Sequence, residues 1–306
     1  MKNTIQYYAK RPRVGYRALR QMGHAIYGLK PYLILLETTT KCNARCSYCG
    51  TKGKRYDMDL RLYKSLVDSA TWAWGVLPNR RGEPLMYPHI VEAVRYAKRA
   101  GKYAMISTNG SLLNDDMAER LLLTKIDLIR FSIDECDAER FGLSRVGLSF
   151  EAVENNLLNL IARRSRMRSR TKIIVRATVG DWNRERICEI RDYWLSKGID
   201  EFIAKPEMVV PTEQEILEGP FIKFRPVICR EPYNCLTVSH DGTVPLCCND
   251  WYDIYRLGKV NAAMNTDDLL GLYNSRRFRR YRNDMLIGNR VPMICHNCQE
   301  RTEVWQ

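Results

Sequence analysis

From Pro31 onward the apolar positions of this chain fall into short runs that alternate between two periods. Residues 33–37 (LILLE) form a short, nearly continuous apolar run, as expected of a parallel strand buried on both faces. Residues 59–74 put Leu62, Leu66 and Val67 on one helical face, and residues 90–100 repeat that pattern and close at Gly101, a plausible C-cap. Strands are predicted over 103–107, 126–133, 172–179 and 201–204, and helices over 115–123, 150–162 and 183–197, the last closed by Gly198. About six βα units follow one another, short of the eight of a full barrel. The expected fold is therefore α/β, a partial (β/α)6 barrel over residues 31–205, with the site at the C-terminal ends of the strands.

The style changes after residue 206. Residues 206–226 hold four prolines and a cluster of acidic residues and read as a linker, taken as far as 228. A hairpin-like turn is expected at His240-Asp241-Gly242-Thr243, and one helix over 266–285. Residues 229–306 form a small C-terminal extension, and residues 1–30 a basic, aromatic N-terminal segment. That segment has no apolar stretch ahead of a small-residue cleavage site, and no apolar run in the chain approaches 18 residues. The expectation is a cytoplasmic protein without a membrane span.

Composition adds charge and cysteine to this picture. The 306 residues carry a formal net charge of +14, much of it from two runs, 163–170 (RRSRMRSR) and 276–282 (RRFRRYR). Neither run comes with a nucleic-acid-binding motif, so they read as a solvated helix end and a solvated helix face, and nucleic acid is not the expected partner. There are 11 cysteines. In a reducing compartment that number points to metal binding or catalysis rather than disulfides. Cys136 and Cys188 stand apart and read as plain thiols; the other nine cluster at 42–49 and 229–298.

The first cluster is Cys42-x3-Cys46-x2-Cys49, just beyond the first strand. Three thiolates so close together can hold three corners of a [4Fe–4S] cluster and leave one iron open. Zinc in a structural site prefers four closed ligands, and this loop has three and no histidine. The motif resembles that of the radical S-adenosylmethionine (SAM) superfamily, and the resemblance runs over about residues 31–205. It implies that SAM chelates the open iron and is cleaved by one electron to methionine and a 5′-deoxyadenosyl radical. Tyr48 then belongs near the adenine. Gly82-Glu83-Pro84 resembles the family's GGEP segment, which assigns Glu83 to SAM's amino group; Arg81 departs from the usual glycine there. Thr108-Asn109-Gly110 resembles the TNG segment, and Ser132-Ile133-Asp134 the segment near SAM's ribose and carboxylate. Arg145-Val146-Gly147 and Arg176 match positions that often contact SAM or substrate. Alone, a Ser-x-Asp after a strand is more often a helix N-cap; the order of the whole set carries the resemblance.

The C-terminal cysteines resemble the SPASM or twitch extension, which binds an auxiliary [4Fe–4S] cluster. That resemblance implies Cys229, Cys247, Cys295 and Cys298 as ligands, with Cys235 or Cys248 open as replacements and zinc as the alternative metal. The terminal C-x2-C has ordinary metal-ligand spacing. Some epimerases of the superfamily share this layout and use a cysteine as hydrogen-atom donor, which makes Cys248 the catalytic candidate; the other reading is an inert second cysteine of the pair. The implied function is abstraction of a hydrogen atom from a C–H bond, ending in epimerisation or dehydrogenation of a sugar or aminocyclitol. Peptide modification comes second. An RNA-binding or RNA-modifying iron–sulfur protein is the alternative of another class. The implied partners are a small-molecule or peptide substrate, anionic in keeping with the basic chain, and an electron donor such as flavodoxin or ferredoxin.

Overall fold

A computed structural model describes residues 29–50, 55–208, 211–223, 229–296 and 298. The expected N-terminal segment lies outside the described residues apart from Leu29 and Lys30. Strands β1 (Leu33–Leu36), β2 (Gly75–Leu77), β3 (Tyr103–Thr108), β4 (Leu128–Ser132), β5 (Lys172–Val179) and β6 (Glu201–Pro206) follow one another along the chain, and β7 (Phe221–Ile222) and β8 (Cys235–Val238) come after them. All but β7 form one seven-stranded parallel sheet in the order β6-β5-β4-β3-β2-β1-β8. The expected α/β architecture of consecutive βα units is present, and β1, the strand that precedes the first cysteine loop, lies inside the sheet.

Helices α1 (Leu60–Ser69), α2 (Ile90–Arg99), α3 (Asp115–Leu123), α4 (Ala138–Ser144), α5 (Phe150–Arg166) and α6 (Ile187–Ser196) connect the strands. Their starts are set by side-chain caps: Asp59 accepts from the N–H groups of Arg61 and Leu62, Asn114 from Met117, and Ser149 from Ala152. Each helix buries one stripe, such as Phe150, Val153, Leu157 and Leu160 of α5. At about 1.5–3 kcal/mol for each large apolar side chain removed from water, that stripe is what fixes the helix on the sheet. Helix α5 runs one turn past its expected end because Arg163 pairs with Glu119 and Asp115, and Arg164 with Asp200.

The extension is joined to the core: its first strand, β8, pairs in parallel with β1 from Leu33↔Cys235 to Leu36↔Val238 and is buried throughout. Two expectations need correction. The stretch expected to be a linker holds helix α7 (Glu213–Glu218), closed by a Thr212–Glu215 capping box, and then β7, which pairs antiparallel with Val291–Pro292. Residues 209–210 and 224–228 of it lie outside the described residues. The single helix expected over 266–285 is two, Thr266–Tyr273 and Arg276–Ile287. Asn274 turns back to bond the backbone N–H and C=O of Leu29, and Ser275 caps the second helix through Phe278 N–H.

Candidate cofactor and metal centres

Because the strands are parallel, the segments that leave β1, β2, β3 and β4 all emerge at one edge of the sheet. The loop after β1 carries Cys42, Cys46 and Cys49, all half-buried. It is pinned from two sides. Lys41 Nζ and Thr39 Oγ1 donate to the Asp57 carboxylate at 2.6 and 2.7 Å. On the other side Arg45 N–H donates to Val146 O and Ser47 N–H to Ser144 O, so the segment around Arg145 forms one wall of the loop. Burial raises the Cys42 thiol to about 11, with the charges of Glu83, Cys46 and Cys49 adding to it; Cys46 is also raised, again chiefly by burial. Thiols that are costly to ionise alone and lie within one another's field are stabilised as thiolates by a bound cation.

Gly82 and Glu83 come up beside that loop. A Cβ on Gly82 would lie 2.4 Å from Thr39 O and 2.7 Å from Lys41 O, so only glycine lets the two backbones approach. Glu83 N–H donates to Lys41 O at 2.8 Å. The Glu83 carboxylate is buried. Its Oε1 accepts from Thr108 Oγ1 (2.6 Å) and Leu85 N–H (3.1 Å), and its Oε2 from Asn109 N–H (2.7 Å). A carboxylate has about four lone-pair sites, so one is left on Oε2 for a cationic ligand group. Burial raises Glu83 to about 6, against the pull of those hydrogen bonds and of Arg145. Asn109 Nδ2 in turn donates to Asn43 Oδ1 at 2.9 Å, and Asn43 Nδ2 to Ser111 Oγ at 2.8 Å. The sequence reading missed Asn43, although it sits inside the C-x3-C motif.

Asp134, expected near the ribose and carboxylate of SAM, has a fully buried side chain. Oδ1 accepts from Thr178 N–H and Arg145 Nη2, and Oδ2 from Tyr48 O–H and Arg145 Nε, which uses all four lone-pair directions. Asp134 therefore orients Tyr48 and Arg145 rather than offering an open oxygen. Tyr48 stacks on Trp182 with centroids 5.6 Å apart, an aromatic neighbour the sequence reading passed over. Ser132 remains at the edge, 3.4 Å from Ser107 Oγ, and pairs in register with Arg176. Gly147 takes φ +93°, a backbone conformation that favours glycine, and faces Asn43 O of the cysteine loop.

Arg81, the departure from the family glycine, has a structural explanation. It donates from Nε and Nη2 to the two oxygens of Glu37 at 2.5 and 2.6 Å, and also to Trp251 O and Asp253. Arg80 reaches Ser239 Oγ, Asp253, and the carbonyls of Cys248 and Asp250. Burial alone would raise Glu37, but hydrogen bonds from Arg81 and His240 and the charges of Arg80 and Arg81 hold it at about 2. Two consecutive arginines thus tie the Gly82-Glu83 turn to the loop that carries Cys247 and Cys248.

In the C-terminal part, Cys229, Cys247, Cys295 and Cys298 are all buried and line one small cavity, with Glu231, Pro232, Leu246, Asn249, Met285 and Ile294. Burial raises Cys229 and Cys247 well above the usual thiol range, and each is raised further by the charges of its cysteine neighbours in the cavity. Asn249 Nδ2 donates to Cys298 Sγ at 3.3 Å. Among the described residues no three His, Cys, Asp or Glu side chains converge closely enough for a single metal ion. Four cysteines around one cavity form an all-thiolate donor set, the kind that holds an iron–sulfur cluster. The two remaining cysteines lie outside that lining. Cys235 is inside β8 opposite Leu33, and Cys248, half-buried, points its Sγ to within 3.7 Å of Glu231 Oε2. Of the Arg-rich runs, Arg163 and Arg164 are ion-paired and Arg282 is fully buried, so these three do not belong to a solvated face.

Comparison with known proteins matches residues 36–193 to the radical SAM superfamily and residues 229–299 to the SPASM iron–sulfur cluster-binding domain. The tungsten-containing aldehyde ferredoxin oxidoreductase cofactor-modifying protein of Pyrococcus furiosus is 26% identical over 223 residues, 68% of this chain and 60% of that protein. The PqqA peptide cyclase of Gluconobacter oxydans is 32% identical over 125 residues, 37% of this chain and 34% of the cyclase. Both matches thus span less than two thirds of the relative. Among solved structures, anSMEcpe with bound AdoMet (that is, SAM) covers 89% of this chain and 88% of its own at TM-score 0.63 and 17% identity. Streptococcus suis SuiB bound to precursor peptide SuiA covers 88% and 70% at TM-score 0.63 and 14% identity. BtrN in complex with AdoMet and 2-DOIA covers 84% and 88% at TM-score 0.52 and 17% identity. At these identities the three share the fold. No helix among the described residues is long and apolar enough to cross a membrane.

Proposed function

The chain belongs to the radical SAM superfamily, in its SPASM branch, and we propose that it returns a hydrogen atom to its substrate from Cys248, making it an epimerase of a small polar molecule of the sugar or aminocyclitol type. Membership brings a SAM-binding [4Fe–4S] cluster, SAM and an auxiliary cluster. Together the first two supply a one-electron cleavage of SAM to methionine and a 5′-deoxyadenosyl radical that removes a hydrogen atom from carbon. On the proposed reading Cys42, Cys46 and Cys49 hold the first cluster and Cys229, Cys247, Cys295 and Cys298 the auxiliary one. Glu83 uses its spare lone pair to orient SAM's ammonium, and Asn109 and Asn43 brace the neighbouring backbone. Tyr48 and Arg145, held by Asp134, close the adenine side. Gly82 lets the backbone come close, and Ser132 and Gly147 lie at the edge of the same site.

The observation that carries the reading is the placement of Cys248. Its thiol lies at the rim of the cavity of the other four, 3.7 Å from Glu231 Oε2, and its carbonyl is held by Arg80, two residues ahead of Gly82. The S–H group gives its hydrogen atom to the substrate carbon radical on the face opposite abstraction. The sulfur then recovers one electron and one proton, the electron from the donor that also serves the first cluster. The test is turnover of candidate aminocyclitols in deuterium oxide. The epimer should carry one deuterium at the inverted carbon, and Cys248→Ala should stop inversion while 5′-deoxyadenosine still forms. An unchanged rate of inversion in Cys248→Ala overturns the proposal.

A second reading, peptide modification, is favoured by the names of the PqqA peptide cyclase and of the SuiB complex with its precursor peptide. There the auxiliary cluster accepts the substrate electron, and Cys248→Ala leaves product formation intact.

A further inference from the structure

Arg282 is the last residue of the basic run 276–282, yet it has 0% exposure. Its Nε donates to Pro232 O at 2.8 Å; Nη1 and Nη2 are buried, have no carboxylate partner among the described residues and lie beside the Tyr273 hydroxyl. Among the described residues it forms no ion pair. Aromatic rings surround it instead: its Cζ lies 3.8 Å from the centroid of Phe278, 4.1 Å from Tyr273 and 5.6 Å from Tyr233. Three ring faces attract the cation by about 2 kcal/mol each, which offsets much of the several kcal/mol that burying an ion costs but supplies no counter-charge. A buried guanidinium with no carboxylate partner among the described residues calls for a negative charge nearby.

The location indicates which charge. Pro232, which accepts from Arg282, lines the cavity of the four cysteines, and so does Met285, one helical turn further along the same helix. Tyr233 O–H also donates to the Arg282 carbonyl, so this residue joins two walls of the cavity. Four thiolates around a [4Fe–4S] core leave a net negative charge, which grows by one on reduction, and cluster potentials respond to nearby charge and hydrogen bonding.

We propose that Arg282 is the buried counter-charge of the auxiliary cluster, a positioning residue that favours its reduced, more negative form. The proposal rests on the assignment of Cys229, Cys247, Cys295 and Cys298 as cluster ligands. A unit charge roughly 10 Å away through an effective dielectric near 20 shifts a one-electron equilibrium by of order tenfold. For a one-electron couple that is about 59 mV.

The experiment uses the full chain carrying Cys42→Ala, Cys46→Ala and Cys49→Ala, so that only the auxiliary centre is seen. Dithionite titrations followed by electron paramagnetic resonance compare Arg282 with Arg282→Lys, Arg282→Gln and Arg282→Met. The neutral variants should need a potential lower by about 59 mV for the same reduced fraction. Arg282→Lys should stay close to the parent. A neutral variant that keeps its iron and titrates with the parent overturns the proposal, as does a lysine variant that shifts as far as the neutral ones. Should Arg282→Met fail to fold, Arg282→Gln, which keeps a donor for Pro232 O, gives the decision. Should both neutral variants lose the cluster while Arg282→Lys retains it at the parent potential, the charge requirement stands. A parent that binds no iron overturns the ligand assignment itself, a failure distinct from an unshifted potential.

Discussion

Replacing Arg81 tests the join between the two halves of the site. In Arg81→Ala, Glu37 keeps its place in the sheet but loses both bonds of the guanidinium fork. What remains is Arg80 Nη1 at 4.0 Å, the His240 backbone N–H at 3.3 Å and His240 Nδ1 at 3.4 Å. Removing one partner of a buried pair costs about 3–5 kcal/mol. The depression of Glu37 from 4.5 to about 2 against its burial has the same sign, with Arg81 ahead of His240 and Arg80 among its favourable causes. Because Arg80 and His240 stay, the expected loss for Arg81→Ala lies at the lower end, about 3 kcal/mol. Glu37→Gln should cost less, about 2 kcal/mol, because Arg81 keeps Asp253 and Trp251 O. The double variant should fall short of the sum by at least about 1 kcal/mol, since the two residues share one interaction. Anaerobic urea unfolding of the cluster-loaded chain, followed by tryptophan fluorescence, measures all three. A loss below about 1 kcal/mol for Arg81→Ala, or strict additivity, would refute the view that this pair ties the Gly82-Glu83 turn to the auxiliary loop.

Two further predictions use other parts of the molecule. Gly82→Ala drives a methyl group into Thr39 O and Lys41 O, so iron analysis should show loss of the first cluster and retention of the second; full iron content would show that the backbones need not approach so closely. Glu135 is fully buried, its Oε1 has no partner, and burial raises it to about 7. A carboxyl raised on folding adds stability that is complete below about 4.5 and lost as pH rises through 7. Glu135→Gln should therefore gain on the parent by about 2 kcal/mol between pH 5.5 and pH 8 in urea unfolding, and a gap independent of pH would contradict the assignment.

Much of the core was legible in sequence because its signals are local. The apolar run of β1, the alternation along β3, the full length of β5 and the Asn114-capped helix α3 lie where their periodicity puts them. The cysteine loop, Glu83 and Asn109 come together because each follows a parallel strand. What escaped depends on contacts distant in sequence. Nothing near Cys235 reveals that strand β8 joins the core by pairing with Leu33 some two hundred residues away. The saturation of Asp134 by Arg145, Tyr48 and Thr178 exists only in the folded chain. Arg282 looked like one more surface charge, and its aromatic cage draws on Tyr233 as well as on its own helix.

The central claim is that two cysteine sets give this chain the radical SAM reaction and an auxiliary centre, and iron counting coupled to SAM cleavage tests it most directly. Anaerobically reconstituted protein should hold about eight irons, as two cysteine-ligated cubanes require, and should release 5′-deoxyadenosine from SAM on reduction. Cys42→Ala should abolish that release and keep about four irons. Protein that takes up zinc in place of iron and leaves SAM intact would contradict the account.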